Sequence, residues 1–169
     1  MERFVADTNP ALDTPTDLAR NDTRTVADAL NGALADSYAI YLKTKNFHWH
    51  VSGPHFRDYH LLLDDQATQI LAATDLIAER VRKTGNTTLR SIGDISRRQS
   101  VADNDRDFVA AADMLAELRD DNLKLVERFR EVKRAAEEAG DNATSGIVDD
   151  WTDQAEERAW FLFEASRNG

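Results

Sequence analysis

Apolar residues recur at helical spacing through most of this chain, and no stretch alternates with the period of two that a half-buried strand needs. The first such run spans Thr23 to Trp49, with Val26, Leu30, Leu34, Tyr38, Tyr41 and Leu42 near a 3.6-residue period. Ser52-Gly53-Pro54 breaks it. Ser52 or Gly53 is expected to cap the next helix, with Pro54 in its first turn, where a missing N–H costs nothing. That second helix is read from Pro54 to Lys83 and stopped by Thr84-Gly85-Asn86, a glycine C-cap. A crossover from Thr87 to Asp105 follows, with one short helix over Ser91 to Arg97. A third long helix is expected from near Asp105 to Gly140, carrying Phe108, Leu115, Leu118, Leu125, Phe129 and Val132. A fourth begins at Asp141 or Asn142 and runs to Ser166, carrying Ile147, Trp151, Trp160 and Phe163. The prediction is an all-α protein: residues 1–22 as a flexible N-terminal arm, and residues 23–169 as one four-helix bundle with a long connection between its second and third helices.

Charge and composition narrow the chemistry. A net charge of −10 disfavours unaided nucleic-acid binding, which needs clustered Lys and Arg, and suits a protein that attracts cations. With no cysteine there is no disulfide, thiolate metal site or thiol nucleophile. No apolar run reaches membrane-span length and Met1 to Asn9 is acidic and polar, unlike a signal peptide, so the cytoplasm is the expected compartment, free or at the nucleoid. There is no phosphate-binding glycine loop, no H-E-x-x-H and no serine elbow. No Glu is followed three residues later by His, so the carboxylate–histidine pair that di-iron bundles build within one chain is missing.

The histidines supply the positive signal. All 4 lie between His48 and His60, as His48, His50, His55 and His60. The second helix then carries His60, Asp64, Asp75 and Glu79. At 100° per residue these fall within about 100° of one another, on one face. Along the axis, however, His60 and Asp75 are separated by about 22 Å at 1.5 Å per residue, too far to share an ion. A two-fold axis near the helix midpoint resolves this. Two antiparallel copies set His60 and Asp64 of one subunit against Asp75 and Glu79 of the other, and an isologous dimer yields two such sites. His48, at the end of the first helix, can join the His60 side. Imidazoles with carboxylates and no thiolate suit iron or manganese, with zinc as a further candidate. The competing reading makes Asp64, Asp75 and Glu79 solvated helix charges and the histidines part of a turn. His50 and His55 are read as structural or surface residues.

These residues also carry a resemblance. Asn46-Phe47-His48-Trp49-His50-Val51-Ser52-Gly53-Pro54-His55-Phe56, then Tyr59 to Asp64, then Asp75-Leu76-Ile77-Ala78-Glu79-Arg80 resemble the two signature segments of the Dps proteins, or miniferritins. The likeness extends over about residues 25 to 166, through Thr88-Leu89-Arg90-Ser91-Ile92 and Trp160-Phe161-Leu162. It implies a ferritin-like bundle assembled as a hollow homododecamer. It implies ferroxidase centres between two-fold-related subunits, with His48, His60 and Asp64 from one and Asp75 and Glu79 from its neighbour. Iron(II) would be oxidised there, preferentially by hydrogen peroxide, and stored as ferric mineral, sparing DNA from oxidative damage. Trp49, beside His48, is either an electron donor or radical sink, or a core aromatic. Asp65 is either a cavity-facing nucleation residue or an exposed helix charge. Asp141, Asp149 and Asp150 are candidates for acidic iron-entry pores. Asp141 has a cap as its competing role, and Gly146 departs from the family by standing where an acid is common.

DNA binding is a second departure. Relatives that bind DNA often carry lysine-rich tails. The arm here holds only Arg3 and Arg20 against Glu2, Asp7, Asp13, Asp17 and Asp22, and the chain ends Ser166-Arg167-Asn168-Gly169. Direct DNA binding is therefore not expected, and Arg97-Arg98 is read as a solvated or interface pair. The alternative function is a non-enzymatic, nucleoid-compacting DNA-binding protein.

Overall fold

The computed structural model describes residues 9–167. The expectations attached to Glu2, Arg3 and Asp7 in the arm, and to Asn168-Gly169, lie outside the described residues. A short 3-10 turn, Pro10–Leu12, precedes five helices: α1 (Arg20–His50), α2 (Phe56–Lys83), α3 (Ile92–Arg98), α4 (Ala111–Glu138) and α5 (Asn142–Ser166). Among the described residues there is no strand, and no helix is long and apolar enough to cross a membrane. α1 packs along α2, α4 along α5, and α1 against α4, whereas α2 and α5 meet only lightly. The four long helices form the predicted bundle, and α3 lies across α1 within the crossover.

The core follows the helical stripes. Val26, Leu30, Leu34, Ile70, Ile77, Leu125, Phe129, Val132, Val148 and Trp151 form one buried cluster. Phe47, Val51, Leu63, Met114, Leu115, Leu118 and Leu162 form a second, at the end of the bundle that carries the histidines. Burying one such side chain contributes about 1.5–3 kcal/mol, which is why the stripe period dictates which helix faces turn inward.

Several expectations need correction. α1 begins at Arg20, three residues before the predicted start, without a side-chain cap. The turn after it also differs. Gly53 takes φ +118°, a conformation L side chains rarely adopt. The amide of Phe56 donates to the Gly53 carbonyl at 3.1 Å. Pro54 and His55 are used up in that turn, so α2 starts at Phe56 rather than at Pro54, and neither Ser52 nor Gly53 caps it. α4 begins at Ala111, not near Asp105. Polar side chains hold the preceding segment out of a helix: Asn104 Oδ1 accepts from the Arg106 amide at 3.1 Å, and Gln99 reaches Asp103 at 2.8 Å. Phe108, assigned to the core of that helix, is 70% exposed outside it. Leu42, Trp160 and Phe163 point outward as well.

Several side chains anchor the crossover: Asn31 bonds Thr87 and Thr88, and Asn46 donates to the Asn104 carbonyl. Asp36 of α1 is fully buried, and its carboxylate accepts from the amides of Ser100 and Val101, the Ser100 hydroxyl and Arg128 Nε. Buried Lys43 ties α1 to α4, reaching Asp121 at 2.7 Å and Glu117 at 3.1 Å. At the far end of α2, Gly85 adopts φ +81° as the predicted C-cap. The segment before α1 is seated there: Arg82 donates to the Leu12 carbonyl at 2.8 Å, and Arg20 pairs with Asp13 at 2.8 Å.

Candidate metal centre

His48 occupies the last turn of α1 and His60 the second turn of α2, brought together because Val51 to His55 reverses the chain tightly. Their rings stack with centroids 3.8 Å apart and planes 19° from parallel. Each ring also bonds to the other residue's backbone: His48 Nδ1 lies 2.7 Å from the His60 carbonyl and His60 Nδ1 lies 2.8 Å from the His48 carbonyl. A carbonyl oxygen only accepts, so both Nδ1 atoms must carry the proton. Nε2 is then the nitrogen of each ring that can offer a lone pair to a metal. A metal-binding imidazole is commonly fixed in this way, by donating its other nitrogen to a carbonyl.

Asp64, one turn beyond His60, completes the grouping. His48 Nε2 stands 3.8 Å from Asp64 Oδ1. Lys45 Nζ donates to the same oxygen at 2.8 Å. The Lys45 hydrogen bond holds the Asp64 carboxyl below its usual range, the positive charge of the ammonium acts in the same direction, and desolvation opposes both.

The remaining predicted ligands are elsewhere. Asp75 and Glu79 lie in the last turns of the unbroken α2 and are exposed. Glu79 makes only a loose contact with Lys83 at 3.7 Å. Among the described residues no three His, Asp or Glu side chains of one chain converge on a metal position. The chain therefore presents His48, His60 and Asp64 at one end of α2 and Asp75 and Glu79 at the other.

The middle of the bundle is occupied differently. Arg158 of α5 is 4% exposed, with Nε donating to Asn122 at 2.8 Å and a terminal nitrogen to Gln69 at 2.7 Å. Burial pulls its guanidinium down to about 10. A buried cation held by amide oxygens takes up the interior space and repels metal ions. This gives a physical reason why no within-chain site stands there.

The other candidates divide by environment. Trp49 is 58% exposed in the single chain, so the core-aromatic reading does not hold for it, and Lys45 Nζ sits 5.8 Å from its ring centroid. Asp65 is exposed. Asp141 is buried: it caps α5 by accepting from the Thr144 amide at 3.0 Å and pairs with Arg80 at 3.1 Å. Its carboxylate is fully engaged, which favours the cap over a pore role. Asp149 is exposed and paired with Lys133 at 2.9 Å, and that hydrogen bond holds the Lys133 ammonium above its usual range. Asp150 is exposed. His50 turns back to its own helix, with Nδ1 2.8 Å from the Asn46 carbonyl, and His55 leans on Tyr59. Reading the residues did not find Lys45 or Arg158. For Lys45 the signal was present in its spacing, since it stands three residues before His48 on the same face of α1.

Comparison with known proteins supplies the family. Residues 27–167 match the ferritin-like domain. The chain is 33% identical over 149 residues to the DNA protection during starvation protein of Agrobacterium fabrum, covering 88% of this chain and 92% of that one. The chain belongs to the Dps family. A low temperature-induced protein of Nostoc, itself uncharacterised, is 34% identical over 138 residues, covering 81% of this chain and 77% of that one. Among solved structures, an archaeal Dps homologue from Halobacterium salinarum superposes with a TM-score of 0.89 at 26% identity, over 99% of this chain and 94% of that one. The all-helical, ferritin-like architecture read from the helical stripes is therefore that of the family.

Proposed function

We propose that this Dps-family chain assembles as a hollow dodecamer, oxidises iron(II) at centres shared between two-fold-related subunits, and stores the ferric product inside. The observation that carries the reading is the mutual lock of His48 and His60, which reserves Nε2 of each ring for a metal, with His48 Nε2 3.8 Å from the Asp64 carboxylate. Two imidazoles and a carboxylate form half of a hard-to-borderline ligand set suited to iron as substrate. Asp75 and Glu79 of a neighbouring copy supply the other half. Their spacing from His60 along α2 allows no within-chain closure.

The preferred oxidant in this reading is hydrogen peroxide. Two iron(II) ions each give one electron, the O–O bond breaks, and two hydroxide equivalents form, so no hydroxyl radical is released. Consuming iron and peroxide together would protect DNA chemically, without contact. Direct DNA binding has little support in the arm, whose described basic residue Arg20 is already paired with Asp13. Asp65, Asp149 and Asp150 stand as exposed acids available for iron entry or nucleation, with Asp149 partly neutralised by Lys133.

The test replaces His48 and His60 together with Gly. Light scattering should find the assembly intact, and peroxide-driven iron(II) oxidation should slow by at least about tenfold, the scale on which even supporting residues of metal sites act. Unchanged kinetics in an intact assembly would overturn the assignment. A gel-shift with purified protein at about 0.1 M salt, where phosphate contacts still hold, checks the DNA reading. Retardation there would favour the nucleoid-compacting alternative.

A further inference from the structure

Among the described residues two Lys or Arg side chains are buried, Lys43 and Arg158. Lys43 meets two carboxylates, Asp121 and Glu117. Arg158, in the middle of the bundle, meets none: Nε and one terminal nitrogen donate to the neutral side chains of Asn122 and Gln69. Glu157, next to it in the chain, is exposed and acts on it only at a distance. A buried charge is ordinarily paired, because an apolar interior penalises an isolated one heavily. With its guanidinium at about 10, Arg158 stays charged at neutral pH and lacks a counter-charge. A small cleft stands beside it, lined by Arg158, Trp151 and Gln154 of α5, Ser37 of α1, and apolar Ile70 and Phe129. Its volume of about 10 Å³ admits one water-sized particle. The second terminal nitrogen of Arg158 and the indole nitrogen of Trp151 have no hydrogen-bond partner among the described residues, and neither is fully sealed. The Ser37 hydroxyl is already committed, donating to the Ala33 carbonyl at 2.8 Å.

We propose that this cleft binds one monovalent anion of halide size, with chloride as its ordinary occupant, held by Arg158 and Trp151 as the counter-ion of the buried guanidinium. The lining selects the ligand class. A guanidinium offers five N–H donors and no acceptor, and two are spent on Asn122 and Gln69. The indole N–H is likewise a donor only. A cation is repelled by such a wall. A water accepts from these donors but leaves the charge uncompensated. A halide accepts from both and rests the remainder of its surface on Ile70 and Phe129 without needing an acceptor from them. Sulfate and phosphate are too large for a space of one water-sized particle. α2 and α5 both line the cleft and meet only lightly, so two of its walls are not sealed against each other. The site is separate from the shared metal centre and does not depend on it.

Two measurements on the full-length protein test this. Crystals soaked in sodium bromide should show an anomalous peak in contact with the Arg158 guanidinium. In solution, W49F/W160F leaves Trp151 as the one tryptophan of the 3. Bromide quenches an indole on contact. Emission should therefore fall along a saturating curve as bromide replaces sulfate at constant ionic strength, and added chloride should restore it. In that background R158M should weaken the saturable quenching at least about tenfold, the scale of a lost charge-assisted bond. R158Q serves as a second uncharged variant should the methionine disturb folding. Quenching that never saturates, or that is unchanged in R158M and R158Q, would overturn the proposal. So would a matching loss of quenching by uncharged acrylamide, which would report access to Trp151 rather than anion binding. A cleft holding only water in the bromide-soaked crystals, which need no variant, would overturn it as well.

Discussion

Replacing Asp36 with Asn changes one buried atom and tests what holds the crossover against the bundle. Asp36 accepts from the Ser100 amide at 2.5 Å, the Val101 amide at 3.2 Å, the Ser100 hydroxyl at 2.7 Å and Arg128 Nε at 3.2 Å. An amide side chain can keep one oxygen toward the two backbone donors. Its NH2 group then confronts the Ser100 hydroxyl and the Arg128 guanidinium; the hydroxyl can rotate, but the guanidinium cannot accept. The variant loses a charge-assisted bond to a partly buried arginine and places two donors face to face. Together these cost roughly 2–4 kcal/mol. Because the contact ties one segment, the loss should appear first as local opening. Amide exchange at Ser100 and Val101 should quicken by roughly 30- to 800-fold, at about 1.4 kcal/mol per tenfold, while amides deep in α4 and α5 change far less. Hydrogen exchange read by peptide mass spectrometry, at fixed protomer concentration, makes the measurement. Less than threefold acceleration at those two amides would refute the argument that Asp36 anchors the crossover.

Three further outcomes are expected. In G85A the new Cβ would stand 2.9 Å from the Thr14 carbonyl oxygen at a backbone φ of +81°; the cost should be about 1–3 kcal/mol, and limited proteolysis should cut faster between Leu12 and Leu18. D141A removes the cap of α5 and the partner of Arg80, whose side chain is 18% exposed. It should destabilise the fold by roughly 2–4 kcal/mol in thermal denaturation, and retention of the wild-type melting temperature would contradict the capping role. Burial raises the Asp121 carboxyl above its ordinary value, with Lys43 opposing the shift. The folded state therefore holds that proton more tightly than the unfolded chain does, so Asp121 contributes a fall in stability as pH rises from about 4 through its folded value; D121N should remove this slope from urea denaturation profiles, and an unchanged slope would refute it.

Much of this molecule was legible in its residues, for identifiable reasons. The long helices were, because Val26, Leu30 and Leu34 or Leu125, Phe129 and Val132 repeat at helical spacing and have one way to be buried together. The start of α4 was not: Phe108 continues the apolar pattern, yet Asn104 and Gln99 spend their side chains on local bonds that hold the backbone out of a helix. Outward-facing Leu42 and Trp160 show the same limit, since apolar character alone does not say whether a face meets its own core. At the site, the division of α2 into two distant ligand groups followed from helix geometry alone. The mutual carbonyl lock of His48 and His60 did not, because it depends on how tightly the turn at Gly53 closes. Nor did the burial of Arg158, which a sequence presents as one more surface charge.

The placement of His60 and Asp75 at opposite ends of a single rigid helix has a consequence for timing. A newly made chain carries two incomplete halves and, under the divided-centre reading, has no chemistry to perform until it meets another copy. Oxidation would then begin only where a container is already forming. Insoluble ferric product would have no place to nucleate on stray subunits, and the concentration of the protein itself would set the threshold for activity.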